Sequence, residues 1–169
     1  PPPVAGRLRL RSLEKLPASK EVFVGLAWGA LAAGVPALVA DGPLRAAVLA
    51  FGAAFLMAFQ RTLAMDLRDV EADQLVGREA LVRLLGARTG SLLLLLLVAL
   101  QGALLLAGGL LGWTTSLSYP LLLGMAYALA CFAAVGRYRM EEDTAELVVE
   151  GEFYLMGLAA LLWRVWAGA

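Results

Sequence analysis

The sequence predicts an all-α integral membrane protein of about five transmembrane helices, and three observations carry that prediction. Hydrophobic residues make up 61% of the 169, with a mean hydropathy of +0.78, whereas soluble domains sit nearer about 45–50% apolar. The apolar residues gather in runs of roughly 17–22, long enough for helices across a hydrocarbon core of about 30 Å. Lys and Arg fall almost entirely between alternate runs.

The spans fall at about 21–40, 43–62, 90–111, 118–135 and 152–168. Two connections, near 41–45 ("DGPLR") and 112–118 ("GWTTSLS"), are short and rich in helix breakers. The others, a loop over 1–20 and loops over 63–89 and 136–151, are long and charged. Of the 14 Lys and Arg, 12 lie within 1–20, 61–89 and 136–151, leaving only Arg45 and Arg164 elsewhere. The positive-inside preference therefore puts the charged loops and the N-terminus in the cytoplasm and the C-terminus outside, as expected in a cell inner membrane. Trp113 and Tyr119 suit the opposite interface, as do Trp163 and Trp166 at the outer end of the last span, where Arg164 can snorkel to water. Pro36 and Pro120 sit near span ends, where a lost backbone hydrogen bond costs least. Gly29, Ala30, Gly34 and Gly52 are small enough to let helices approach closely. The opening "PPPVAGRLRLRSLEKLPASK" has no apolar core, so it reads as a loop and not as a signal peptide.

Composition excludes several function classes. A net charge of zero and a pI near 6.9 give no footprint for nucleic acid. With no His and one Cys, the chain cannot hold a Ser-His-Asp triad, a Cys-His pair, a conventional zinc site or an intrachain disulfide. Cys131, within "GMAYALACFAAVG", reads as a small buried apolar residue. Carboxylates, Arg, Lys and a few hydroxyls remain for chemistry.

The carboxylates are grouped. On a helix continuing from the second span, at about 100° per residue, Asp69 lies at about 300° and Asp73 at about 340° from Asp66, an arc of about 60°. Glu71 and Arg68 point elsewhere. Like charges at i,i+3 and i,i+4 repel by a few tenths of a kcal/mol per pair in water, and more near lipid. Three stacked carboxylates favour a cation among them, and Mg²⁺ prefers carboxylate and phosphate oxygen. The face could thus hold a Mg²⁺-diphosphate; on spacing alone, a solvated acidic loop that screens nearby arginines explains it equally well.

The stretch "DLRDVEADQLVGREALVRLLG" (66–86) resembles the second aspartate-rich motif of the UbiA superfamily of intramembrane prenyltransferases. Asp69-x-x-x-Asp73 fills its Asp pair and Asp66 the earlier acid, followed by Gly77-Arg78-Glu79 and Leu84-Leu85-Gly86. "LEKLPASKEVFVGLAWG" (13–29) is similar to the family's entry to its fifth helix, and "VVEGEFYLMGLAALLW" (148–163) to the entry to its last. Three stretches in order carry the resemblance across nearly the whole chain. Gln74, Ala80 and Val82 depart from a usual basic residue, Thr and Pro; Gln74 lowers the positive charge beside the diphosphate.

The resemblance implies that the five spans correspond to helices 5–9 of a nine-helix bundle built as two similar halves. It implies Mg²⁺-dependent transfer of an isoprenyl group from a polyprenyl diphosphate to a small, usually aromatic acceptor. Asp69 and Asp73 are the implied catalytic pair, and Asp66, Asp69 and Asp73 the metal ligands. Lys20, Arg78 and Arg137 are candidate diphosphate partners by position, each equally readable as a positive-inside anchor; Arg83 and Arg88 read as anchors. Quinone, haem, chlorophyll and lipid pathways all remain open. The family's first motif, Asn-Asp-x-x-Asp-x-x-x-Asp, occurs nowhere in the 169 residues, and its Tyr-x-x-x-Lys element would fall at or before Pro1, with Arg7 or Arg9 the nearest replacement for the Lys. The expectation is therefore a C-terminal half, inactive alone, that needs an N-terminal half or a partner to supply the first motif.

Two other readings compete with this one. A CDP-alcohol phosphotransferase signature begins at Asp66-x-x-Asp69 but fails at Val70, Asp73, Gln74 and Arg83. A non-catalytic half-length membrane protein or subunit would explain the absent first motif; the intact Asp66, Asp69 and Asp73 argue against it, since a relic would shed their mutual repulsion. The acidic run "EEDTAELVVEGE" (141–152) reads as a solvated surface leading into the last helix.

Overall fold

The structure is a computed structural model that describes residues 19–39, 42–76, 85–135 and 142–168, without the side chains of 69–76, 87, 134–135 and 142. All regular structure among the described residues is helical. Helix α1 (Ser19–Gly29) runs through a π-helical stretch (Ala30–Gly34) into α2 (Val35–Val39), followed by α3 (Leu44–Val76), α4 (Ala87–Leu110), α5 (Ser118–Val135) and α6 (Glu142–Ala167). Helices 19–39, 44–68 and 88–110 are long and apolar enough to cross a membrane, and Ser118–Ala133 is a shorter apolar helix.

Local chemistry explains the irregular points. Pro36 lacks an N–H and its ring would crowd the carbonyl a turn earlier; the helix widens into its π stretch just ahead of it. At the end of α4, Gly112 takes a φ of 63°. Trp113 N–H then reaches the Gly108 carbonyl at 2.9 Å and Gly112 N–H the Gly109 carbonyl at 3.2 Å, a Schellman closure that satisfies two otherwise orphaned carbonyls.

Helices α3, α4, α5 and α6 pack in succession and α6 returns to α3, while α1 lies along the outer side of α3. Gly25 and Gly29 make that last contact possible. A Cβ at Gly25 would come 2.8 Å from the Phe55 ring, and one at Gly29 3.0 Å from Phe51. Gly52 likewise faces Leu104 on α4, whereas Gly34 meets nothing beyond its own helix. Leu63, Leu94, Val98, Met125 and Val149 meet in the core of the four-helix unit. Leu38 on α2 and Leu96, Leu123 and Leu161 on the four-helix unit are exposed, as suits a helix bundle solvated by lipid.

Apart from the buried pair Gln60–Gln101, the side-chain to side-chain polar contacts between helices fall toward two ends. The ion pair Lys20–Asp66 and the pairing of Arg61 with Glu146 and Glu150 lie toward one. At the other, the Trp163 indole N–H donates to Ser116 Oγ at 3.1 Å, tying the end of α6 to the α4–α5 connection.

Candidate functional site

The charged end is built on α3. This helix runs 33 residues without interruption, about 50 Å at 1.5 Å per residue, so it outreaches a bilayer core and carries positions 66, 69 and 73 on one continuous helix. Asp66 is its last acid with a described side chain, and it is buried. Lys20 Nζ lies 3.0 Å from Asp66 Oδ1; the Lys20 side chain is 68% exposed and that of Asp66 only 9%. A carboxylate taken out of water needs such a partner.

Sequence reading overlooked Glu21. It is 2% exposed, and Asp66 is its acidic neighbour. Two carboxyl groups side by side away from water favour a cation beside them, a place that Lys20 fills for Asp66. A signal was available: Glu21, Gly25 and Gly29, spaced by four, are the buried residues of α1. An acid on the same stripe as two close-approach glycines points at the facing helix, which is α3.

A second cluster lies beside the first. Arg61 Nη2 is 2.6 Å from Glu150 Oε1 and 3.3 Å from Glu146 Oε1, joining α3 to the start of α6. The acidic run is thus more than a solvated surface. Glu146 is exposed, Glu150 half-buried and paired, and Glu152 buried, because Glu152 shares a face of α6 with the core residues Val149 and Met156.

Of the residues singled out from sequence, the structure brings Lys20 and Asp66 together. The backbone of Asp69 and Asp73 lies on α3, while their side chains fall outside the described residues, as do Arg78 and Arg137 entirely. Among the described residues no three His, Cys, Asp or Glu converge on one point. The donor set that is described, carboxylate oxygen from Asp66 with Glu21 beside it, fits a hard cation such as Mg²⁺ and does not suit a soft one.

These features define an all-helical integral membrane bundle that pairs buried acid with more exposed base toward one end of its longest described helix. The family model "UbiA prenyltransferase family" matches residues 12–163, and the chain belongs to that family. At family level it is a prenyltransferase. No curated protein and no solved structure matches significantly.

Proposed function

We propose that this chain binds the diphosphate of an isoprenyl donor at the charged end of α3 and forms one half of a Mg²⁺-dependent prenyl-transfer site. The observation that carries the reading is Asp66, a buried carboxylate held between Lys20 and Glu21 at the head of the Asp66, Asp69, Asp73 series. Those three aspartates would hold Mg²⁺, which when bound neutralises the diphosphate and favours its departure from the allylic carbon.

The chain's own residues supply the rest. Lys20, largely exposed, can turn its ammonium from Asp66 to a phosphate oxygen. Arg78 and Arg137 are further candidates for the same anion. The apolar faces of α1 and α3 accommodate the isoprenyl chain, and the charged loops exclude water from the reacting carbon. The acceptor, an aromatic or other small nucleophile, gains the isoprenyl group and loses a proton, and diphosphate is released. The charged end faces the cytoplasm on this reading, by the distribution of Lys and Arg. The five apolar segments correspond to helices 5–9 of the family's bundle.

A second aspartate cluster must complete the site, because the first motif does not occur in these 169 residues. Transfer of a radiolabelled isoprenyl group into organic-soluble product tests this. Residues 1–169 alone should give none, and supplying a segment with the first motif should restore it. Mg²⁺-dependent turnover by residues 1–169 alone would overturn the half-site reading.

A further inference from the structure

A separate polar site lies inside the four-helix unit, on another side of α3 from Asp66. Gln60 precedes Asp66 by six residues, so the two point about 120° apart around the helix. Gln60 Nε2 donates to Gln101 Oε1 at 2.7 Å, and both glutamines are 0% exposed. Facing carboxamides can close two hydrogen bonds; this pair makes one. Gln60 Oε1 and Gln101 Nε2 are left without a partner, and so is Oε1 of Glu152, itself 2% exposed.

Packing brings all three to the same depth. Gly102, next to Gln101, faces Met125, whose Cγ would be 3.7 Å from a Cβ there. One residue before Met125, Gly124 packs against Met156; two after it, the Tyr127 hydroxyl packs on Gly151 and donates to the Val148 carbonyl at 2.9 Å. Residues 151–156 of α6 therefore pass 124–127 of α5, with Glu152 in that window. Gln60, Gln101 and Glu152 thus lie within about one helical turn, about 5.4 Å, of each other in depth. Each also faces the core: Gln60 is three residues from Leu63, Gln101 three from Val98 and Glu152 three from Val149, all members of the buried cluster.

The chemistry of the three atoms selects the guest. Nε2 requires an acceptor and Gln60 Oε1 requires a donor, so one small group must do both. An isoprenyl chain does neither, a cation leaves the amide N–H unmatched, and an anion leaves the oxygens unmatched. Water matches all three, and buried water characteristically makes two to four such bonds.

We propose that the interior of the α3–α4–α5–α6 unit holds a structural water site bridging Gln101 Nε2, Gln60 Oε1 and Glu152 Oε1. It stands whether or not the diphosphate reading does. Met125 and Met156 are buried neighbours that can report on it. In a millisecond X-ray pulse a trapped water yields hydroxyl radical in place, while oxidant from bulk must first penetrate the bundle. For the purified chain in lipid nanodiscs, both methionines should be oxidised in the pulse and spared by peroxide added in the dark. Gln60→Leu/Gln101→Leu should lower the pulse labelling several-fold. If neither methionine is labelled in the pulse, or the double variant labels as wild type does, the site does not exist. Should that variant fail to fold, the wild-type comparison decides alone.

Discussion

Lys20 Nζ and Asp66 Oδ1 lie 3.0 Å apart, an ion pair between the first turn of α1 and the charged end of α3 in which the base is exposed and the acid is buried. The asymmetry assigns different consequences to the two partners. Lys20→Met leaves the buried Asp66 carboxylate without its cation and should cost stability about 1–3 kcal/mol, while weakening isoprenyl diphosphate binding several-fold. Thermal unfolding in detergent, read beside a binding titration, separates the effects; a large stability loss with unchanged binding would make Lys20 purely structural.

Arg61 bridges Glu146 and Glu150 across the α3–α6 contact. Arg61→Glu should destabilise by about 1–2 kcal/mol through like-charge contacts at a half-exposed site, and Glu150→Arg in the same chain should return most of the loss. A double-mutant cycle on thermal unfolding measures the coupling. Zero coupling would mean the pair does not form in the membrane.

Close approach between α5 and α6 depends on Gly151, where an added Cβ would run into the Tyr127 hydroxyl. Gly151→Val should cost about 1–3 kcal/mol by overpacking. Gly157, on the same helix, has nothing near its Cβ position, so Gly157→Ala should be neutral or slightly stabilising. The difference between the two midpoints of unfolding tests the α5–α6 packing.

Gln60 and Gln101 form a pair whose members cannot be removed singly without leaving the other unmet. Gln60→Leu should cost about 1–3 kcal/mol, and adding Gln101→Leu should recover a large part of it. A double variant less stable than either single one would contradict the pairing.

What the sequence discloses here divides along a physical line. Signals local to one segment were readable: the apolar runs of α3 and α4, the breakers at "GWTTSLS", and the common arc of Asp66, Asp69 and Asp73 on a helix that the structure continues to Val76. Contacts across segments were not. The stripe of Glu21, Gly25 and Gly29 points to a facing helix but not to Asp66 on it, 45 residues away, and nothing near Arg61 announces Glu150. Gln60 and Gln101 lie 41 residues apart, and only folding opposes them. The acids of 141–152 appeared uniform because composition does not record phase; only the register of α6 separates Glu146, facing out, from Glu152, facing in. The π stretch at Ala30–Gly34 had Pro36 as its only herald.

The central claim is that the Asp66, Asp69 and Asp73 face takes up a diphosphate through Mg²⁺, and a binding titration addresses it without requiring turnover. Farnesyl diphosphate would be titrated into the chain in nanodiscs with Mg²⁺ and with EDTA, for wild type, Asp69→Asn and Asp73→Asn. The account predicts that removing the metal, or either carboxylate, weakens binding by about tenfold or more, equivalent to about 1.4 kcal/mol. Equal affinity for all three proteins with and without Mg²⁺ would contradict it.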